Sequence, residues 1–336
     1  MKLSFIITSL AVIGSTYGFS ASPGVINQRS TGTAVSASNE NTMMPMQKGS
    51  TVALITPMTL EGNIDVAELR TLLQFHVEQG TDNLCILGTT GEASVMDMSE
   101  RELVLKIAVE EVKGKMPILV GTGTIDPKSV KSMTQQAIDL GCDANLLVSP
   151  YYVKPPQRCI MNHMTSIADM GLPLIVYNIP GRTGVDIEDA NMAILAEHES
   201  IIGVKDATGD VSRVSSLREL VGDDFLMYSG DDGTSLDFVL EGGDGCISVS
   251  ANLVPNIMHK MMKLAKEGKV NEATKLNAPL ELLHQKLFLE TNPIPAKWAA
   301  QQMGLMKTAA CRPPLDVLDP AFEPEVMAAL QAAGLM

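Results

Sequence analysis

The chain has 336 residues and a net charge of −14, with 45% hydrophobic but only 4% aromatic residues. That length exceeds an ordinary domain but suits an α/β barrel of about 250 residues with extensions, its core filled by aliphatic side chains and methionine. Such acidity argues against nucleic acid or anionic membrane as partners, so an anionic substrate has to be met by local basic groups.

Residues 1–48 hold three basic groups (Lys2, Arg29, Lys48) and one acid (Glu40), leaving −16 for the remainder. Lys2 followed by the apolar run 3–13 has the form of a signal peptide, because the run falls short of the roughly twenty residues that cross a bilayer. Residues 21–48 are rich in Ser, Thr, Asn and Gly, a transit-peptide composition. With Phe19 just past the cleavage region, the segment resembles the bipartite leaders of complex plastids. The expectation is a disordered targeting segment over 1–48 and a plastid destination, with secretion as the alternative.

Apolar runs of β type follow at 52–56, 83–87, 117–121, 145–149, 173–177, 201–205, 225–229 and 245–249. Each is nearly continuous in hydrophobicity and bounded by Gly, Pro or Ser, as strands buried on both faces are. Between them lie stretches of helical period, such as 66–79 and 99–112, the second opened by a Ser99/Glu102 capping-box pattern. Eight such units predict an α/β fold, a (β/α)8 TIM barrel over 49–254. The runner-up, a doubly wound open sheet, lacks its Gly-rich phosphate loop after the first strand. The tail, 255–336, reads as a helical extension with helices at 256–267, 270–290, 293–304 and 323–333.

Five cysteines (Cys85, Cys142, Cys159, Cys246, Cys311) are odd in number and form no CxxC pair, which reads as free, buried thiols. The five histidines show no metal-ligand spacing, and no metal site is expected.

Barrel enzymes place their chemistry at the C-terminal ends of strands. There the sequence puts Thr89 and Thr90 after the second run, Tyr151 and Tyr152 after the fourth, Tyr177 and Arg182 at the fifth, Lys205 at the sixth, Asp231 and Asp232 after the seventh and Ile247 in the eighth. A lysine amine attacks a ketone only when neutral, and burial disfavours the charged form. The resulting iminium acidifies the adjacent methyl group and yields an enamine nucleophile. A tyrosine hydroxyl can carry the protons, paired threonines with free backbone N–H groups can hold a carboxylate, and an arginine can grip a second one. Each residue also has a plain structural reading. Lys205 could pair with Asp206, Tyr177 could be core, Thr89–Gly91 a turn, Glu92 helix-cap chemistry, Arg182 a surface cation, and Asp231–Asp232 a helix cap.

The motifs Gly-Thr-Thr-Gly-Glu at 88–92, Pro-Tyr-Tyr at 150–152, Tyr-Asn-Ile-Pro-Gly-Arg-Thr-Gly at 177–184, Gly-Val-Lys-Asp-Ala-Thr-Gly at 203–209 and Asn-Pro-Ile-Pro-Ala-Lys at 292–297 resemble those of the pyruvate-dependent class I aldolase family. The resemblance runs from about residue 50 to the C-terminus. It is nearest to members that condense pyruvate with L-aspartate 4-semialdehyde. It implies that Lys205 forms an imine with pyruvate, that Tyr177, Thr89 and a neighbouring subunit's counterpart of Tyr152 relay protons, that Thr90 and the Ile247 backbone bind pyruvate, and that Arg182 binds the second carboxylate. It further implies a homotetramer and no metal or organic cofactor. A sialic acid or sugar-acid lyase and a catalytically silent barrel remain the alternatives. Lysine-sensitive members bind that amino acid near the second and third strand ends. Tyr151 is kept here, but Met98, Arg101, Ile125 and Ser129 depart from their pattern, which implies weak or no inhibition by lysine.

Overall fold

The computed structural model describes residues 43–336; residues 1–42, which hold most of the expected leader, lie outside the described residues. Eight parallel strands pair in chain order and close into a barrel. They are β1 (Gly49–Ala53), β2 (Asn83–Ile86), β3 (Ile118–Gly121), β4 (Ala144–Val148), β5 (Leu174–Asn178), β6 (Ile201–Asp206), β7 (Leu226–Ser229) and β8 (Gly245–Ser248). The helices are α1 (Val66–Gln79), α2 (Met98–Val112), α3 (Pro127–Asp139), α4 (Gln157–Ala168), α5 (Pro180–Thr183), α6 (Asp189–Ala196), α7 (Arg213–Val221) and α8 (Ser235–Leu240) around the barrel. After it come α9 (Pro255–Lys266), α10 (Val270–Asn277), α11 (Glu281–Lys286), α12 (Ile294–Gln302) and α13 (Glu323–Ala332).

The two-residue alternation of a strand sorts the side chains. Ala53, Cys85, Leu119, Leu146, Ile175, Tyr177, Tyr228 and Ile247 meet inside the barrel. Their neighbours Val52, Leu84, Ile86, Ile118 and Val120 face outward into the helix layer. Both faces are therefore dry, which is why the runs lack polar alternation. Closure demands a small residue, because a Cβ on Gly245 would fall 1.9 Å from the Gly49 carbonyl oxygen.

The expected barrel is present, with local corrections. β1 starts earlier than the 52–56 run, because its ladder to β8 begins at Gly49 opposite Gly245. The ladder ends with the Leu54 N–H, which donates to the Cys85 carbonyl at 2.9 Å, and the Ile55 N–H donates instead to Asn252 Oδ1 at 3.0 Å. The α2 cap is Asp97, not Ser99: Asp97 accepts the Glu100 N–H, and Glu100 returns a carboxylate to the Asp97 N–H. The expected helix 270–290 is broken between α10 and α11, where Pro279 removes a backbone donor and crowds the preceding turn. Cys85, Cys142 and Cys246 are buried free thiols, but Cys159 is exposed.

The expected leader also overlaps the barrel itself. Residues 43–48 pass beneath the N-terminal ends of the strands. Met46 is buried in the interior cluster, and the Gln47 backbone accepts from Tyr228 Oη and Asn83 Nδ2, each at 2.8 Å. The Met44 N–H donates to Asp143 Oδ1 at 2.7 Å. Composition could not reveal this, since the contacts are largely made by backbone atoms.

Candidate active site

Tyr177 and Lys205 are register partners on β5 and β6. Both side chains therefore point to the same face, and Lys205 Nζ sits 4.2 Å from the centre of the Tyr177 ring. Both are buried, at 8% and 7% exposure. Asp206, the partner that a structural lysine would take, is turned away by strand alternation. It accepts from the Thr208 N–H at 2.8 Å and hydroxyl at 2.6 Å and faces Arg213 at 3.6 Å. Lys205 has no ion pair among the described residues. Its neighbours inside the barrel are neutral, because burial pushes the Cys85 thiol up to about 11 against the opposing pull of the Lys205 charge. Burial likewise raises Cys246. The glycine after β7 makes room for the amine: a Cβ on Gly230 would lie 2.9 Å from Lys205 Cε.

Lys205 and Tyr177 open into a cavity of about 860 Å3 at the C-terminal ends of the strands, and Thr89, Thr90 and Arg182 line it too. The turn after β2 presents Thr89 and Thr90 with backbone N–H groups that bond to no protein atom among the described residues, while the Gly91 and Glu92 N–H groups close the turn onto Gly88 and Thr89. Such paired free donors form a concave anion seat. Arg182 projects from α5, a single turn ended by Gly184 at φ 72°.

Two expected residues are not brought to this cavity within one chain. Tyr152 is 87% exposed on the loop after β4, with a left-handed φ of 69°. A non-glycine residue held there costs about 1–3 kcal/mol. Ile247 is buried in the barrel interior and lies outside the cavity lining. The alternative for Asp232 also fails: it does not cap α8. Its Oδ2 accepts from the Val249 and Ser250 N–H groups, both at 2.9 Å, and so pins the chain leaving β8.

The C-terminal region does more than pack against the barrel. Lys297 of α12 forms a fully buried ion pair with Glu92 at 2.6 Å, and the other Glu92 oxygen accepts the Arg312 N–H at 2.8 Å. The turn carrying Thr89 and Thr90 is thus fastened from the far end of the chain, and Glu92 is an anchor, not a helix cap. Phe288 and Asn292 also line the cavity. The motif at 292–297 marked this segment in the sequence without showing which cavity it reaches. Among the described residues, no group of three or more His, Cys, Asp or Glu side chains could hold a metal ion.

The family model for the dihydrodipicolinate synthetase family matches residues 46–333. The chain is 43% identical over 292 residues to the 4-hydroxy-tetrahydrodipicolinate synthase of Saccharophagus degradans, covering 87% of this chain and 100% of the relative. A chloride-inhibited dihydrodipicolinate synthase of Acinetobacter baumannii, solved with pyruvate, is 42% identical with a TM-score of 0.84, covering 87% of this chain and all of that one. A monomeric dihydrodipicolinate synthase variant gives the same TM-score at 33% identity, covering 87% and 98% of the two chains. The similarity to curated relatives overturns the plastid expectation: those relatives are bacterial and give no support to an organelle address. A Ser-, Thr- and Asn-rich stretch of low charge is too generic a pattern to specify a destination.

Proposed function

The chain belongs to the dihydrodipicolinate synthetase family, and we propose from that premise how its residues divide the work. The reaction is the condensation of pyruvate with L-aspartate 4-semialdehyde to 4-hydroxy-tetrahydrodipicolinate, a lyase step in the diaminopimelate route to lysine. The observation that carries the reading is Lys205: a buried amine beside a tyrosine, without a counter-ion among the described residues, at the floor of an open cavity.

The Lys205 amine adds to the pyruvate ketone, and water leaves as the imine forms. Loss of a methyl proton gives the enamine, whose carbon attacks the aldehyde of the second substrate. The new alkoxide takes up a proton. The amino group of the former aldehyde then adds to the imine carbon and expels the Lys205 amine, closing the ring. Tyr177 is the residue placed to carry protons at the imine. Thr89 extends that path toward solvent. The pyruvate carboxylate is received by the Thr90 hydroxyl and the turn N–H groups. Arg182, at the cavity mouth, takes the carboxylate of the aldehyde substrate. Every step is acid–base or imine chemistry, with no net redox change, so the balance calls for neither metal nor organic cofactor.

Tyr152 supports an assembled enzyme. Its exposure and strained backbone fit a side chain presented to a second copy, where it completes the relay of the neighbouring site. A homotetramer built as a dimer of dimers is the assembly proposed. The departures at Met98, Arg101, Ile125 and Ser129 support weak or absent lysine inhibition. Arg101 in particular places a cation on the cavity wall, 2% exposed.

Borohydride reduction in the presence of pyruvate, followed by peptide mass mapping, tests the central step. A pyruvate adduct on Lys205 is expected, and an unmodified Lys205 overturns the mechanism. Turnover with aspartate semialdehyde against sugar aldehydes then tests the second substrate.

A further inference from the structure

Thr90 is buried at 4% exposure, and its hydroxyl has one proton and two lone pairs. Asn292, from the segment between α11 and α12 and 6% exposed, donates its Nδ2 to Thr90 Oγ1 at 2.9 Å. Both residues line the cavity. The bond uses a lone pair of the hydroxyl and leaves its proton free. Among the described residues no protein atom accepts that proton. The same turn offers the Thr89 and Thr90 N–H groups without protein partners, so an oriented hydroxyl adds a third donor to the seat.

We propose that Asn292 is a positioning residue that sets the polarity of Thr90, holding its O–H toward the keto-acid carboxylate. The inference rests on the reading of Thr90 as part of the pyruvate seat. A plain structural role for Asn292 is the competing explanation, but it accounts poorly for the other end of the amide. Asn292 Oδ1 is buried without a partner, and an amide serving only to tie two segments together would have both ends engaged. Its only side-chain hydrogen bond among the described residues goes to Thr90.

The two roles separate on substitution. Asn292→Asp keeps shape but loses the donor, so the Thr90 proton turns to the new carboxylate and its lone pairs face the substrate. Asn292→Ala leaves the hydroxyl free to rotate, so it can still donate. Packing alone predicts Asp to be the milder change; polarity predicts it to be the harsher one.

The experiment uses the full chain and compares Asn292→Asp, Asn292→Ala, Thr90→Val and the Thr90→Val/Asn292→Ala pair. It reads KM for pyruvate, KM for aspartate semialdehyde, kcat, Tm and borohydride trapping of pyruvate at Lys205. The pyruvate KM is expected to rise by about 10–100-fold in Asn292→Asp and by about 3–10-fold in Asn292→Ala, with the aldehyde KM moving less than about threefold. Adding Asn292→Ala to Thr90→Val should change the pyruvate KM by less than about twofold, because the two act through one bond. The inference is overturned if Asp is milder than Ala for pyruvate, or if the double variant is fully additive. Those outcomes with normal trapping on Lys205 reject only the role of Asn292. A missing adduct in the unaltered chain rejects the broader mechanism instead.

Discussion

The carboxylates at one end of the barrel and the cavity-lining polar groups at the other are treated in opposite ways. At the N-terminal floor, carboxylates are saturated. Asp244 accepts from the Met227 N–H and pairs with Lys48, Arg218 and Lys266. Asp143 takes the Met44 and Ile118 N–H groups and Lys113, while Asp82 takes the Ser50 N–H and His259. At the C-terminal mouth, Lys205, the Thr89 and Thr90 N–H groups, Asn292 Oδ1 and Arg101 Nε have no protein partner among the described residues. The floor uses its polar groups to hold the strands together. The mouth keeps them unsatisfied, at a cost in stability, so that a ligand can complete them.

Lys205 is where the mouth differs most from the floor. Lys205→Met should lower kcat/KM by about 10^4-fold or more while Tm stays level or rises, since it replaces an unpaired buried amine with an apolar chain. A Tm loss of the size expected from removing a paired carboxylate at the floor would show that Lys205 is structural. Tyr177→Phe comes next, with a fall in kcat of about 10^2–10^3-fold and little change in Tm. Retention of full turnover would move the proton transfers to another group.

Asp244→Asn probes the opposite end. It should cost about 2–4 kcal/mol in denaturant unfolding, with kcat of the folded fraction unchanged; partial exposure of the three cations keeps the loss below that of a fully buried pair. Its pH dependence follows from the same contacts. Burial alone would raise the Asp244 carboxyl, but the Met227 N–H, Arg218, Lys48 and Lys266 outweigh it and hold the group below its ordinary value of 3.8. The folded value being the lower one, this stabilisation is complete above the ordinary value and is lost as pH falls through the folded value. An acid titration of stability should therefore fall less steeply below about pH 4 in Asp244→Asn than in the unaltered chain. Parallel acid limbs would remove Asp244 from the floor's stabilising set.

The smallest effect concerns the mouth. Millimolar lysine should change the initial rate by less than about twofold. The Arg101 guanidinium is pushed down to about 10 by burial and, among the described residues, donates one hydrogen bond, to the Gly121 carbonyl. A cation already on that wall disfavours an incoming ammonium. Strong inhibition would show that the wall is complemented differently in the assembled enzyme.

Much of the barrel was legible because strands buried on both faces leave long apolar runs, and because Lys205, Tyr177 and Arg182 stand at their ends. The floor was not legible. Met46 and Gln47 sit in a stretch whose composition resembles a leader; a lone buried methionine makes no periodic pattern, and Gln47 is anchored through backbone atoms that any sequence supplies. The Asn292–Thr90 bond spans a separation of 202 residues, so no local pattern announces it. The break at Pro279 was readable in principle, but apolar spacing on either side of it continues the helical period.

The Glu92–Lys297 pair has a consequence for how the protein comes into being. Glu92 is made about two hundred residues before Lys297 and Arg312, the groups that satisfy its two oxygens. A nascent chain that has all eight strands still carries an uncompensated acid next to the Thr89–Thr90 turn, and closing the turn around it would bury an unpaired charge. Glu92 is satisfied only in a chain that includes the C-terminal helices, and one cut short before Lys297 has a barrel's strands without the clasp that fastens the Thr89–Thr90 turn.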